Sequence, residues 1–233
     1  MKPNEISPSS ARSIEWITFD CYGTLIDWES GVSDALSPFL PPPVDRAALA
    51  AQYIAIEAAV EGECYRPYGD VLATAGARLL ESLGHPLPPG RERVLPNSLG
   101  SWRPFPEVPE ALRALQVGGY RLAILSNVDR DLLAASIIHL GIEPDLAITA
   151  EDCQSYKPAP GHWRRFQALS GAEPASTVHV AASLFHDIAT AASLGYRTVF
   201  VNRHGAPVTG VAPTRVVRDL RVIRTIIDEL GAS

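Results

Sequence analysis

Cysteine is scarce in this chain, with three residues among 233, at Cys21, Cys64 and Cys153. They lie far apart, are odd in number, and form neither a CxxC pair nor the spacing of a zinc site. A disulfide framework and a cysteine-based metal site are therefore excluded. A reducing compartment is expected, and we predict a cytoplasmic protein.

Long apolar runs and an excess of basic residues are also absent. No stretch approaches the roughly 18 apolar residues of a membrane-spanning helix. Met1–Ser13 has no apolar run either, so we interpret it as a loose leader and not as a signal peptide. The formal net charge of -6 offers no basic patch for nucleic acid or an anionic membrane. The expected partner is therefore a small molecule, with no nucleic acid and no membrane.

Short apolar segments alternate with amphipathic ones through much of the chain. Hydrophobic residues make up 46% and charged residues 20%, which is typical of a folded globular protein. The alternation predicts an α/β fold, a doubly wound parallel sheet with a Rossmann-like core. Strands are predicted over 14–19, 121–125, 146–149, 178–182 and 198–202, and helices over 109–117, 129–140, 161–170, 187–194 and 220–230.

The amino-acid composition changes after the first predicted strand. From residue 31 to residue 100, Ala, Leu and Glu dominate, and proline clusters interrupt the chain. Apolar residues at three-to-four spacing predict helices over 47–63 and 69–83. We therefore predict a catalytic core formed by 1–30 and 101–233, with a small all-helical cap, 31–100, inserted after the first strand.

Polar side chains follow several predicted strands. Ligands of open parallel sheets bind at the carboxyl ends of the strands, so these residues are the candidates for function. They are Asp20, Tyr22, Thr24, Ser126, Asn127, Lys157, His186 and Asp187.

The candidate residues suggest covalent catalysis. A carboxylate at a strand end, such as Asp20, can act as a nucleophile whose ester is then split by water. Lys157 supplies a cation that keeps Asp20 ionised, and Asp187 is placed to orient Lys157 or the water. His186 is a hypothetical activator of that water, because the pKa of histidine lies near neutrality.

Ser126 and Asn127 supply donors for a leaving group or an oxyanion. Each candidate also has a plain structural interpretation. Ser126 and Asn127 can cap the next helix, Thr24 can bond the turn backbone, and His186 can be an ordinary satisfied histidine.

Four segments in order resemble the motifs of the haloacid dehalogenase superfamily. They are FDCYGTL, LSN, YKP and a late Asp after a strand. The helical insert after the first of them is similar to the cap of that superfamily. The resemblance extends from about residue 14 to residue 202, and it implies a hydrolase in which Asp20 is the covalent nucleophile.

The residue two positions after Asp20 separates branches of the superfamily. Phosphatase members carry a second Asp there, and Mg²⁺ binds near both. This chain carries Tyr22, and its DxYGT form resembles the 2-haloacid dehalogenase (type II) branch, which uses no metal. The resemblance implies catalysis without a metal or another cofactor, with Tyr22 and Thr24 lining the substrate site.

Three departures from that branch concern the residues that face the substrate. Gln52 stands near the position of the cap arginine, and the nearest alternative cations are Arg66, which we include among the substrate-binding candidates, and Arg46. Ala182 and Leu184 stand at the positions of a serine and an asparagine in the late motif. Trp163 replaces a tyrosine.

The expected reaction is hydrolysis of a short 2-haloalkanoic acid to a 2-hydroxy acid, with Asn127 and a cap residue receiving the halide. Two alternatives stay open at this point. One is a magnesium-dependent phosphatase of a small phosphate ester. The other is a catalytically idle member that binds a small acid or a protein. The cap is amphipathic enough to support a homodimer.

Overall fold

The computed structural model describes residues 13–232, so almost all of the predicted leader lies outside the described residues. Six parallel strands form one sheet, in the order β3-β2-β1-β4-β5-β6 along its width. The strands are β1 (Trp16–Phe19), β2 (Arg121–Ser126), β3 (Leu146–Thr149), β4 (Thr177–Ala181), β5 (Arg197–Val201) and β6 (Arg215–Val217).

The helices flank the sheet or follow β1. They are α1 (Trp28–Leu36), α2 (Arg46–Glu63), α3 (Tyr68–Ser82), α4 (Val94–Ser98), α5 (Val108–Val117), α6 (Arg130–Ile137), α7 (Ala150–Cys153), α8 (Gly161–Ser170), α9 (Ala189–Ser193) and α10 (Ile223–Ala232). A π-helical turn, Leu184–Ile188, precedes α9.

The centre of the sheet positions the site. Every residue of β1 and β4 is buried, as expected for strands covered on both faces. Phe19 pairs with Ile124 of β2 and with Val180 of β4, so the carboxyl ends of these strands lie side by side. The chain builds outward from β1 to β3 and then returns to β4. The crevice beside β1 is therefore the topological switch point at which such sheets bind ligands.

Helices α1 to α4 form a body that leaves and rejoins the core at neighbouring points. Ile26 bridges to Pro104, and the Phe105 amide donates to the Leu25 carbonyl oxygen at 3.0 Å. Between β1 and α5 the described chain contains only helices and turns. We propose this body as the cap, with the boundaries expected from the sequence.

The α/β prediction is confirmed, with local differences. Helices α1, α4 and α7 and strand β6 were not predicted. Strand β6 has three residues, and Arg215 and Val216 are exposed, so it carries little hydrophobic pattern. The helix expected over 187–194 is instead the π-helical turn followed by the shorter α9. Helix α6 is likewise shorter than the 129–140 expected.

The two ends of the described chain meet. The Ser13 hydroxyl donates to the Gly231 carbonyl oxygen at 2.5 Å, just before β1 and within α10. Among residues 13–232, no helix combines the length and apolar character needed to cross a bilayer.

Candidate active site

Asp20 is held at the end of β1 by the turn that follows it. Its amide donates to the Val180 carbonyl oxygen at 3.1 Å. The Thr24 hydroxyl donates to Asp20 Oδ2 at 2.7 Å and accepts from the Ala182 amide at 2.9 Å. The turn closes through Gly23, whose φ of 91° is the left-handed conformation that glycine adopts without strain. The Asp20 carboxylate is thereby fixed beside the end of β4.

Lys157 joins the two buried carboxylates. Its ammonium donates to Asp20 Oδ1 at 2.8 Å, to Asp187 Oδ1 at 2.6 Å and to the Leu125 carbonyl oxygen at 2.9 Å. All three protons of the ammonium therefore have acceptors, although Lys157 is only 2% exposed.

Asn127 fixes the backbone of Lys157. Its amide group donates to the Lys157 carbonyl oxygen at 3.1 Å, and its side-chain oxygen accepts from the Lys157 amide at 2.7 Å. Asn127 also lines the cavity, but these two bonds make it a clamp for the segment that carries the ammonium.

The charged forms of Asp20, Asp187 and Lys157 stabilise one another. Burial raises the pKa of Asp20, and the Lys157 ammonium opposes that rise. Burial acts in the same direction on Asp187, but Lys157 and a hydrogen bond from His179 bring the pKa of Asp187 to about 2. Burial alone would lower the pKa of Lys157, whereas the two carboxylates raise it above its usual value.

His179 is a site residue that the sequence analysis missed. Its Nε2 lies 3.2 Å from Asp187 Oδ1, and its Nδ1 lies 2.8 Å from Thr18 Oγ1. Since a carboxylate oxygen only accepts, Nε2 donates to Asp187, and Nδ1 shares a hydrogen bond with the Thr18 hydroxyl. The available signal was a histidine inside an otherwise apolar strand, β4, one strand away from Asp20.

The π-helical turn places Asp187 and His186 differently. Asp187 points inward to Lys157 and is 1% exposed. His186 Nδ1 lies 3.1 Å from Ser183 Oγ, whose oxygen also accepts from the His186 amide at 3.0 Å. Burial lowers the pKa of His186, so its ring is neutral at neutral pH. Both residues line the same cavity.

Two buried polar atoms at this end of the cavity have no hydrogen-bond partner among the described residues. They are Ser126 Oγ and Asp187 Oδ2. Buried polar atoms are nearly always hydrogen-bonded, so such exceptions indicate a place for a ligand or a water molecule. Both residues face the cavity that holds Asp20.

The cavity has a volume of about 460 Å³ and lies between the strand ends and the first helices. It brings together all but two of the predicted site residues: Asp20, Tyr22, Ser126, Asn127, Lys157, His186 and Asp187 line it. Thr24 lies behind Asp20, fully buried.

The predicted cations of the first helices lie elsewhere. Arg66 is not among the cavity-lining residues; it pairs with Glu63 at 2.7 Å. Arg46 pairs with Asp34, and Gln52 lines a separate surface depression beside the proline cluster. The structure therefore brings none of these residues to Asp20.

Helix α2 instead presents Tyr53, Glu57 and Glu61 to the cavity. Four-residue spacing puts them on one face of the helix. That spacing was the available signal, but a glutamate stripe is also typical of a solvated helix face.

Tyr22 stands where a phosphatase would place its second acid. Its hydroxyl shares a hydrogen bond with Ser136 at 2.8 Å, and its ring packs edge-on against Trp102 with centroids 6.0 Å apart. Burial raises the pKa of Tyr22 well above its usual value, so the hydroxyl stays protonated. Trp163 lies behind the site, fully buried against His179.

Comparison with known proteins gives consistent results. The sequence model of the haloacid dehalogenase-like hydrolase family matches residues 14–195. Haloacetate dehalogenase H-2 of Moraxella sp. (strain B) is 29% identical over 200 residues, covering 83% of this chain and 88% of its own. The (S)-2-haloacid dehalogenase of Pseudomonas sp. (strain YL) is 27% identical over 198 residues, covering 82% and 84%.

Solved structures agree with these sequence matches. An L-2-haloacid dehalogenase structure superposes with a TM-score of 0.83 at 26% identity, covering 92% of this chain and 99% of its own. The L-2-haloacid dehalogenase of Xanthobacter autotrophicus, at 21% identity and a TM-score of 0.79, shows the same fold. The resemblance inferred from the four motifs, including its 2-haloacid dehalogenase branch, is confirmed.

Proposed function

Because the chain belongs to the haloacid dehalogenase-like hydrolase family, we propose that it hydrolyses the carbon–halogen bond of a 2-haloalkanoic acid through an ester on Asp20. The observation that carries this proposal is the buried arrangement of Asp20, Lys157 and Asp187 at the cavity wall. Lys157 keeps Asp20 ionised in a poorly hydrated place, where a carboxylate is a stronger nucleophile than in water.

In the first step, a carboxylate oxygen of Asp20 attacks the carbon that bears the halogen. The carbon–halogen bond breaks, the halide leaves with the bonding electron pair, and a neutral ester remains on Asp20. Halide needs no proton in order to leave, so the protonated phenol of Tyr22 suffices where a phosphatase needs an acid. Ser126 Oγ is a free donor for the substrate carboxylate at the same cavity wall.

In the second step, water attacks the carbonyl carbon of the ester and releases the 2-hydroxy acid. Asp187 Oδ2 accepts a hydrogen bond from this water, because it is buried, unpartnered and at the cavity wall. With a pKa of about 2, Asp187 orients the water but is a weak base. Neutral His186 lines the same cavity and is the better acceptor for the proton.

A magnesium-dependent phosphatase is the second candidate, and the residues present fit it poorly. Magnesium prefers several oxygen ligands in octahedral geometry. Here the Lys157 ammonium already bonds both Asp20 and Asp187, and Tyr22 offers a protonated phenol in place of a carboxylate. Nothing in this donor set favours a phosphate ester over a haloacid.

The test is halide release from 2-chloro- and 2-bromoalkanoic acids by the purified chain, without added metal. We expect release in the wild type, none with Asp20→Asn, and unchanged release with Asp131→Asn, an exposed aspartate of α6. Asp187→Asn should accumulate the ester, seen by mass spectrometry as an adduct on the peptide that contains Asp20. Phosphate release from an aryl phosphate with magnesium, and no halide release, would overturn the proposal. Release of neither halide nor phosphate would favour a protein that binds a small acid or a partner without catalysis.

A further inference from the structure

One wall of the cavity is formed by aromatic rings and two glutamates. Helix α2 contributes Tyr53, Glu57 and Glu61. Trp28, Tyr68 and Trp102 line the same cavity around them. This aromatic–acidic wall, defined by these six residues, plays no part in the steps proposed above.

Glu57 is held in one orientation by two phenols. The Tyr68 hydroxyl donates to Glu57 Oε1 at 2.5 Å, and the Tyr53 hydroxyl donates to the same oxygen at 3.0 Å. Burial raises the pKa of Glu57, while these two hydrogen bonds lower it. The tyrosines thus orient a carboxyl group that has no cation beside it.

Glu61 lies one helical turn further along α2. Among the described residues, it forms no hydrogen bond or ion pair that would neutralise it. Burial and the neighbouring Glu57 raise the pKa of Glu61 to about 8. A pair of carboxyl groups in this situation is stabilised by a cation placed between them, since a cation favours the charged form of both.

Acidic side chains outnumber lysine and arginine in the cavity lining. Five acidic side chains line it, namely Asp20, Glu29, Glu57, Glu61 and Asp187, against Lys157, Arg203 and the histidines His186 and His204, the last of which lies 3.3 Å from Glu29. Lys157 is bonded to Asp20 and Asp187, and Arg203 donates to Glu107 and to the Thr24 carbonyl oxygen at 2.7 Å each. Neither cation bonds Glu57 or Glu61, although the charge of Lys157 acts on Glu61 and opposes the rise of its pKa.

The strand-end side of the cavity also indicates a ligand. Ser126 Oγ and Asp187 Oδ2 are buried there without partners. A molecule that reaches from these atoms to Glu61 meets a donor and Lys157 at one end, and carboxyl groups with aromatic faces at the other. Aromatic faces and carboxylates together are the surroundings in which proteins bind ammonium groups.

We propose that the aromatic–acidic wall binds an ammonium group of the substrate, at the end remote from the carbon that Asp20 attacks. Resting on the proposed function, this makes the substrate a 2-haloalkanoic acid with an amine at its far end. A second carboxylate at that position would lack the positive charge that favours the ionised forms of Glu57 and Glu61.

The test compares two substrates of equal length. One is 2-bromo-6-aminohexanoic acid; the other is 2-bromoheptanoic acid, in which a methyl group replaces the ammonium. We expect kcat/KM to be about tenfold higher for the amino acid, in line with one hydrogen bond to a charged group. Glu61→Gln should abolish that preference, so that kcat/KM becomes similar for the two substrates, whereas Glu81→Gln, an exposed glutamate of α3, should leave the preference in place.

Binding of tetramethylammonium, measured by calorimetry, separates this inference from the proposed function. We expect binding in the wild type that Glu61→Gln removes, and no binding of neutral tert-butanol. If halide is never released but this pattern holds, the proposed reaction fails and the ammonium site stands. Equal kcat/KM for the two substrates, an equal loss of both with Glu61→Gln, or no tetramethylammonium binding would overturn the ammonium site.

Discussion

Lys157 shows how one side chain holds the site together. It is buried, and so are the two carboxylates that it joins. A buried ion pair adds little net stability compared with apolar side chains, but removal of one partner is costly because the other charge is left uncompensated. Here a single ammonium compensates two carboxylates, so its loss leaves both of them without a counter-charge.

We predict that Lys157→Met lowers the free energy of unfolding by about 3–5 kcal/mol and abolishes halide release. Urea denaturation followed by circular dichroism measures the first effect. The double variant Lys157→Met/Asp187→Asn should regain part of the stability, because one of the two stranded charges is gone, and it should stay inactive. Unchanged stability in Lys157→Met would contradict the compensation of both carboxylates by Lys157.

Individual site residues differ in how visible they are in the sequence. Asp20, Lys157 and Asp187 follow predicted strands, so topology alone gathers them at one edge of the sheet. His179 points sideways from within β4, and only the fold shows that it reaches Asp187. Glu61 was missed because glutamates on a helix face are ordinarily solvated, and the burial of this face depends on how α2 packs.

At the scale of elements, Asp129 connects the sheet side of the cavity to α3. Its Oδ1 accepts from the Tyr68 amide and its Oδ2 from the Gly69 amide, each at 2.8 Å. These amides begin α3 and have no partners within the helix. A carboxylate just after β2 therefore caps a helix of the proposed cap. Tyr68 in turn reaches Glu57, so this link also positions the aromatic–acidic wall.

We predict that Asp129→Ala lowers stability by about 1–2 kcal/mol, the usual cost of a lost helix cap. Hydrogen exchange of the first turn of α3 should speed up more than exchange in β4, because the loss is local to that helix. Asp131→Ala, two residues further on and exposed, is the matched control and should alter neither quantity. Equal exchange rates in the two variants would show that Asp129 does not cap α3.

Element prediction succeeded where the hydrophobic pattern was long and failed where local geometry decided. The buried strands β1, β2 and β4 and the long helices α2 and α3 were found from periodicity. The π-helical turn was not, because an extra residue per turn leaves the local sequence pattern looking helical. The short edge strand β6 became a strand through pairing with β5, a long-range contact that its three residues do not signal.

At the scale of the whole molecule, the raised pKa of Glu61 makes the stability of the fold depend on pH. The folded protein holds the Glu61 proton up to a pH of about 8, whereas the unfolded chain loses it near its ordinary pKa of 4.5. Between these values the folded state binds more protons, so stability falls as pH rises through that window.

We predict that Glu61→Gln, which has no such proton, gains in Tm over the wild type between pH 5 and pH 8.5. The gain should be roughly 2–4 °C, for a difference on the order of 1 kcal/mol in a chain of this size. Thermal unfolding at both pH values measures it, with Glu81→Gln expected to follow the wild type throughout. A Tm difference that stays constant with pH would refute the raised pKa.

The fold class, the family and the principal carboxylates and lysine follow from the sequence because each depends on order along the chain. The composition of the cavity does not, because it depends on which face of the inserted helices turns inward. Arg66 illustrates this: the sequence supplies a cation at a plausible distance along the chain, but the structure pairs it with Glu63 away from the cavity. The four motifs therefore indicate the family, whereas the packing of α2 against the core decides which side chains of the inserted helices line the cavity.

The meeting of Ser13 with Gly231 has a practical meaning for the molecule as a catalyst. Both groups lie beside the beginning of β1, and Asp20 follows its end, so the described chain terminates on the side away from the cavity. A surface or a fusion partner attached beside Ser13 or Gly231 would therefore contact the side of the molecule away from the cavity. The cavity would stay accessible to substrate from the bulk solution.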